Sequence, residues 1–168
     1  TSLGQVKVLA DPRVDVPMED RQAKFDAIVE AGEISATFSL AGARLRRAKS
    51  DLDLIESLAK RDKDPEADEE AEEYVHPQQP LLDAVKAAKE KLDEISLAFG
   101  GPEDQKGIGS RGKLIGSRVN GPRWGMRSSW DAPTPAELKT LKDAKQALAE
   151  GLEQLNTALE TEVVAARE

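Results

Sequence analysis

The sequence contains no cysteine and only one histidine, and these two shortages remove several kinds of chemistry. Without cysteine, disulfide bonds, thiolate nucleophiles and zinc fingers are excluded, while the cellular compartment stays undecided. The single histidine, His76, also argues against the usual Ser-His-Asp and Cys-His catalytic arrangements. A di-iron bundle needs Glu-x-x-His units from two different helices, and this chain has one such unit, Glu73 to His76.

Aromatic residues and long apolar runs are scarce as well. Aromatic residues make up 4% of the 168 residues and charged residues 33%, a balance typical of helical bundles rather than β-sandwiches. No apolar run approaches the roughly 20 residues that cross a bilayer, so no membrane segment is expected. The net charge of −8 predicts repulsion of nucleic acid and of anionic membranes, so neither is expected as a partner.

Two further motifs resemble functional sites but lack the context that the chemistry requires. Residues 107–113 match most of a phosphate-binding loop, but Leu114 replaces the Ser or Thr that ligates Mg²⁺, and no strand precedes the loop. The number of acidic residues is large enough to include a carboxylate pair for glycoside hydrolysis. Most of them, however, lie at outward helical positions or in an acidic loop. We therefore expect no catalytic residue, no cofactor and no metal in this chain, which by itself is not expected to be an enzyme.

Proline and glycine divide the chain into four predicted helices, at about 18–60, 80–99, 110–120 and 134–166. The first is expected to be one continuous helix, although its middle is rich in small residues, which would suit a bend or a very close helix contact. The second carries apolar residues at the spacing of a coiled-coil seam. The fourth begins with a capping box and carries a long apolar stripe. These two apolar sets are Leu81, Val85, Ala88, Leu92, Ile95 and Phe99, and Leu138, Leu141, Leu148, Leu152, Leu155, Leu159 and Val163.

The segments between the helices differ in charge. Residues 61–79 form a predicted acidic loop, with eight acids and one lysine between Asp62 and Glu73. Residues 102–131 are glycine-rich and basic, and they contain both tryptophans, Trp124 and Trp130. Because tryptophan is a large apolar residue, we expect these two to fill the core rather than to stack on single-stranded nucleic acid.

The chain opens with a strand-like run, Gln5–Ala10, which ends at Asp11-Pro12-Arg13. One short strand cannot bury its face alone, so residues 1–16 are expected to be an entry strand and linker from an upstream β domain. Residues 17–168 are then the helical domain. The expected fold class is all-α: an up-down four-helix bundle with two long antiparallel helices, the first and the fourth, preceded by the strand-like segment. The shorter second and third helices are expected to cover only one end of the long pair.

Three short motifs follow one another in a characteristic order along the chain. They are Val-x-Val-x-x-Asp-Pro-Arg at Val6–Arg13, Ser-x-x-Asp-Ala-Pro-Thr at Ser128–Thr134 and Leu-x-x-Leu-Asn at Leu152–Asn156. With Phe25 on a long first helix, this order resembles the C-terminal helical region of bacterial sortilin-like, BNR-repeat (Asp-box) β-propeller proteins, often labelled glycosyl hydrolases. The resemblance implies an extracytoplasmic location. It also implies that any ligand or catalytic site belongs to the propeller and not to this chain.

The expected function is that of a non-catalytic structural or protein-interaction module at the C-terminus of a larger β-propeller protein. The alternative is an accessory domain that completes the site of a glycoside hydrolase, with Arg123, Trp124 or Trp130 contributing to a sugar pocket. Antiparallel long helices with one uncovered end would leave an apolar face exposed, and such a face marks an interface. It would bind the upstream β domain or, in the isolated chain, a second copy in a homodimer. The residues of this candidate interface are Phe25, Ile28, Val29, Leu159 and Val163.

Overall fold

The computed structural model describes residues 4–7, 9, 11–13, 15–61, 76–101, 114–127 and 129–164, and these residues form an all-helical bundle. Most of the predicted acidic loop and the phosphate-loop-like motif at 107–113 lie outside the described residues. The helices are α1 at Met18–Ala59, α2 at Gln79–Gly100, α3 at Ile115–Gly125 and α4 at Pro135–Ala158, which continues as a π-helical turn at Leu159–Val163.

Helix α1 is continuous over 42 residues, which confirms the prediction of an unbroken helix through the small-residue middle. At about 1.5 Å per residue it is roughly 60 Å long. Within that middle, Ala31, Ser35 and Ala41 are buried, so the small side chains face the neighbouring helices. The hydroxyl of Ser35 donates to the carbonyl oxygen of Ala31 and that of Ser39 to Ser35, which satisfies both side chains within the helix.

Helix α4 begins where the sequence predicts it. The Thr134 hydroxyl accepts a hydrogen bond from the backbone N–H of Glu137, and the Glu137 carboxylate accepts one from the backbone N–H of Thr134. This is the predicted capping box, with Pro135 at the first helical position. Leu138, the first member of the predicted stripe, is 48% exposed because it lies on the outer side of the first turn.

Helix α3 differs from its prediction. It was expected to end at Asn120, but it runs on to Gly125 with Pro122 inside it. Proline has no backbone N–H, so the carbonyl of Arg118 loses its usual helical donor. The ring of Pro122 is buried, and its carbonyl accepts the N–H of Met126, so the last turn closes in spite of the proline.

The relative direction of α1 and α4 contradicts the expectation of an antiparallel pair. Lys24, near the start of α1, donates to Glu137 at the start of α4, with Nζ and Oε1 3.0 Å apart. Farther along both helices, Lys145 donates to Glu30 at 2.8 Å. Two contacts that advance together along both helices require that α1 and α4 run parallel.

The positions of α2 and α3 explain this parallel direction. Helix α2 is antiparallel to α1, since Lys89 contacts Glu56 and the ring of Phe99 stacks on Phe38 at 5.3 Å between centroids. Helix α3 begins beside the end of α2, because a Cβ on Gly116 would lie 2.8 Å from the carbonyl oxygen of Phe99. From there α3 continues in the direction of α2, toward the start of α1. The two short helices thus share the length of α1 between them, and the expectation that both cover one end is wrong.

Two groups of buried side chains fill the bundle, one against each short helix. The α2-half core and the α3-half core meet at Phe38, Ile115 and Leu152, which pack against both. The α2-half core comprises Ala41, Leu45, Ala48, Leu52, Val85, Ala88, Leu92, Ile95, Phe99, Leu155, Ala158 and Val163. The α3-half core comprises Ala27, Ala31, Ile34, Val119, Met126, Leu141, Ala144 and Leu148.

The strand-like segment before α1 is not supported. None of the described residues between 4 and 16 lies in a strand, and Val6 and Leu9 are 89% and 73% exposed. An isolated run of strand-forming residues gains nothing from its pattern when no second strand pairs with it. Among the described residues before α1, Arg13 forms an ion pair with Asp11, in which the guanidinium and the backbone N–H of Arg13 both donate to the carboxylate.

Candidate interaction surfaces

The five residues of the predicted interface do not form one surface. Phe25 is 59% exposed and Val29 is 42% exposed on α1, whereas Ile28 packs against the α3-half core. Leu159 packs against the α2-half core and Val163 belongs to it, with 3% exposure. Because α1 and α4 are parallel, the start of α1 and the end of α4 lie on the order of 30 Å apart along the bundle. A role for these residues in binding a partner stays a prediction.

The end of the bundle where α1 begins is called the entry end, and an ion pair ties it together. The side chain of Lys24 is 6% exposed and that of Glu137 19%. The Glu137 carboxylate accepts hydrogen bonds from the Thr134 backbone and from the Lys24 ammonium, and these hold the pKa of the Glu137 carboxyl below its usual range. Glu137 therefore caps α4 and pairs with α1 at the same time.

Both tryptophans are exposed, so the expectation that they fill the core is wrong. Trp124, in the last turn of α3, is 75% exposed, and Trp130, in the connection to α4, is 81% exposed. The core position near this end is occupied by Met126, which is fully buried. Its unbranched thioether side chain packs with the small residues Ala27 and Ala31 of α1 in the α3-half core.

A second apolar surface, absent from the sequence analysis, runs along the outer side of α1. We call it the outer stripe. At about 100° per residue, its six large side chains fall within an arc of roughly 60°, opposite core residues such as Leu45 and Leu52. The outer stripe consists of Met18 (72% exposed), Phe25 (59%), Val29 (42%), Leu40 (72%), Leu54 (58%) and Leu58 (53%).

The sequence does carry a signal for the outer stripe. Met18, Val29 and Leu40 are spaced by eleven residues, as are Phe25 and Leu58 at three such intervals. An eleven-residue spacing advances by almost three full turns, so it marks a straight line along a helix. The core-facing residues of α1 lie on the opposite side of the same helix. Because α1 has apolar residues on two opposite faces, a simple search for one apolar and one polar face detects neither.

A groove of about 1120 Å³ lies between α1 and the junction of α2 with α3. Phe38 and Phe99 form its apolar floor, and Arg46 and Lys49 supply positive charge at its edge. Gly101 and Leu114 also line it, and the residues that join them, 102–113, lie outside the described part of the chain. Both polar and apolar side chains therefore line the groove. Among the described lining residues, no set of acidic side chains converges on one point.

Among the described residues, no group of three or more His, Cys, Asp or Glu side chains is placed to hold a metal ion. The Nδ1 of His76 accepts the backbone N–H of Gln78, while Glu73 lies outside the described residues. None of the described helices combines the length and the apolar content that crossing a membrane requires.

Comparisons with known proteins add no relative to this description. No protein family model, no curated protein and no solved structure matches the chain.

Proposed function

We propose that this bundle is a non-catalytic interaction module, the C-terminal helical region of a larger β-propeller protein, and that it docks through its entry end. The observation that carries the proposal is the exposure of Trp124, Trp130 and Leu138 at that end. Tryptophan is enriched in the buried centres of interfaces, where its large area gives much of the binding energy. Two exposed tryptophans beside an exposed leucine at one end of a small bundle favour a protein surface as their partner.

The charge around the entry end agrees with docking on a protein. Arg123 and Arg127 flank Trp124 and are both exposed. Arginine beside tryptophan is a frequent pair in interfaces, because the guanidinium stacks on aromatic faces and also forms bidentate hydrogen bonds with carboxylates. The partner surface is therefore proposed to be apolar with acidic residues at its rim.

The two tryptophans also keep the second candidate function open. In this candidate, the bundle completes the site of a glycoside hydrolase, and Trp124 or Trp130 stacks on a sugar ring. The specific observation in its favour is that both indoles are exposed next to Arg123, in the segment that the sequence analysis singled out. It requires a catalytic domain outside this chain, so the docking module is the simpler proposal.

Tryptophan fluorescence tests the docking proposal, because Trp124 and Trp130 are the only two tryptophans. Variants with Trp124→Phe or Trp130→Phe leave one reporter each. In the isolated chain, acrylamide should quench either reporter almost as strongly as free tryptophan. In the longer polypeptide with its preceding domain, quenching should fall several-fold if the entry end is covered. Equal quenching in both proteins would refute docking through this end.

A second measurement distinguishes the docking module from the accessory domain of a glycoside hydrolase. Glycoside hydrolysis by the longer polypeptide should be unaffected by Trp124→Ala and Trp130→Ala if the bundle only docks. A loss of activity in either variant, with the other domain still folded by circular dichroism, would favour the hydrolase candidate instead.

A further inference from the structure

We infer that the outer stripe of α1 is a self-association face, on which a second copy of this chain packs with its own α1 antiparallel. This goes beyond the proposed function, because the outer stripe follows the side of the bundle while the proposed docking surface is at the entry end. The inference rests on the arrangement of large and small residues, on the charges beside the outer stripe and on its area.

The distribution of side-chain sizes favours a copy in the opposite direction. Large residues lie toward both ends of the outer stripe, whereas its middle has Leu40 between two exposed alanines, Ala36 and Ala43, and then the exposed Arg47. An antiparallel copy centred near Leu40 places each Leu40 against the alanines of its partner. The Phe25 end of one copy then lies along the Leu54–Leu58 end of the other. The large side chains of each copy can fit between the large side chains of its partner.

The charges beside the outer stripe favour the same direction. Glu33 and Arg44 border it on the same edge, on opposite sides of Leu40 along the helix. An antiparallel two-fold arrangement brings the same edge of both copies together, so Glu33 of each copy lies near Arg44 of its partner. Within the described residues, no ion pair is recorded for Arg44. A parallel arrangement would instead place Glu33 level with Glu33.

The area is sufficient for a dimer. The outer stripe extends over most of the roughly 60 Å of α1, and a helix with its side chains is about 10 Å wide. One copy therefore contributes on the order of 600 Å², and two copies bury on the order of 1,200 Å², the lower end of the range for specific interfaces. Isologous contacts of this kind are the commonest in homo-oligomers, because one surface serves both partners.

The first test is the oligomeric state of the whole chain, measured by sedimentation equilibrium from about 1 to 100 µM, the range expected for an interface of this size. The unmodified chain should dimerise within that range. Leu40→Glu introduces a charge twice at the centre of the interface and should raise the dissociation constant about 100-fold or more. The matched control is Leu97→Glu on α2, where the side chain is 49% exposed and off the outer stripe, and it should leave the dimer unchanged.

A charge exchange tests the direction of packing. Glu33→Arg should weaken the dimer several-fold, and adding Arg44→Glu to that variant should restore it, because the pair is re-formed with reversed signs. Both residues are exposed, so the variants should fold like the unmodified chain.

Three results would overturn the inference: a monomer at every concentration, a dimer that Leu40→Glu does not weaken, or a charge exchange that fails to restore association. A monomer would mean that the outer stripe does not bind a second copy of the chain. None of these results changes the accessibility of Trp124 and Trp130 at the entry end, so failure of the self-association inference and failure of the docking proposal are read from different measurements.

Discussion

The two halves of the bundle solve the same packing problem with different side chains. In the α2 half, α1 contributes Leu45 and Leu52 to a core that also holds Leu92, Phe99 and Leu155. In the α3 half, α1 contributes Ala27, Ala31 and Ile34, so a single large side chain lies where the α2 half has two. Large aliphatic residues bury more apolar area and therefore stabilise more, at about 25 cal/mol per Å². The α3 half has less of this stabilisation and relies on other contacts.

The helices of the two halves differ in the same direction. Helix α2 has 22 residues, and a single glycine, Gly100, is its last residue. Its Lys89 and Asp93 form ion pairs with Glu56 and Lys49 of α1. Helix α3 has 11 residues, among them three glycines and Pro122. Glycine and proline both have low helix propensity. The α3 half is tied to the bundle by the nearly buried ion pair of Lys24 with Glu137. The comparison predicts that the α3 half opens at lower free energy than the α2 half.

The largest effect is expected at Leu92, which is fully buried in the α2-half core. Leu92→Ala should lower the free energy of unfolding by about 2–5 kcal/mol, because it leaves a cavity between helices that cannot close over it. Met126→Ala removes an equally buried side chain next to the irregular connection after α3, which can shift inward, so its cost should lie at the lower end of that range. Urea unfolding of both variants measures the difference. An equal or larger cost for Met126→Ala would break the comparison between the halves.

A second large effect concerns the ion pair at the entry end. Glu137→Gln keeps a residue that suits the capping box but leaves the ammonium of Lys24 nearly buried without its carboxylate. The expected cost is about 3 kcal/mol, since an uncompensated charge is left behind. Adding Lys24→Met should recover most of that loss, because the buried charge is then absent as well. If Glu137→Gln alone were neutral in thermal unfolding, the ion pair would not support the α3 half.

The sequence predicted the helices much better than their directions. The capping box at Thr134 and the seam from Leu81 to Phe99 are local signals, and both lie where they were expected. Direction depends on whether a connection reverses the chain, and each connection was assumed to do so. Between Gly100 and Leu114 it does not, because α3 continues along α1 from the end of α2. The lengths carried a hint of this, since 22 residues of α2 and 11 of α3 approach the 42 of α1.

The candidate surfaces were predicted only in part, for a related physical reason. Phe25 and Val29 are exposed as expected, but the interface as a whole required the antiparallel pair that does not exist. Trp124 and Trp130 were expected in the core because of their residue type, whereas in the structure both are exposed and Met126 is the buried side chain at this end. Composition and spacing indicate whether a side chain favours burial. Its exposure in the fold depends on which other side chains occupy the neighbouring core positions.

A smaller effect is expected at the junction of the two halves, where Gly116 and Gly121 of α3 form a matched pair. A Cβ on Gly116 would meet the Phe99 carbonyl oxygen at 2.8 Å and the ring of Phe38 at 3.0 Å, whereas outside its own helix and chain neighbours no atom lies within 4 Å of one on Gly121. Gly116→Ala should therefore destabilise by about 1–3 kcal/mol, since the backbone oxygen cannot move aside alone. Gly121→Ala should change stability by less than about 1 kcal/mol, because the gain in helix propensity is opposed by the contact of the new Cβ with the ring of Pro122. Thermal unfolding of the two variants distinguishes close packing at the junction from a general need for glycine in α3.

The smallest expected effect is a pH dependence confined to the α2 half. Hydrogen bonds from Lys60 and Lys89 lower the pKa of Glu56 from 4.5 to about 2, so the folded state binds its proton less tightly than the unfolded state does. The resulting stabilisation is complete above pH 4.5 and is lost as the pH falls from there toward 2. It should amount to less than about 1 kcal/mol, because all three side chains are partly in contact with water.

Glu56→Gln removes the charge at every pH, so the difference in unfolding free energy between this variant and the unmodified chain isolates the effect. That difference should be largest near neutral pH, shrink as the pH falls below 4.5, and approach zero only below pH 2, where the carboxylate of the unmodified chain is mostly protonated as well. Hydrogen exchange at neutral pH should show faster opening of α2 in the variant and no change in α3, since Glu56 contacts only the α2 half. Faster exchange in both helices would mean that the two halves open together, and the comparison between them would then describe packing alone and not stability.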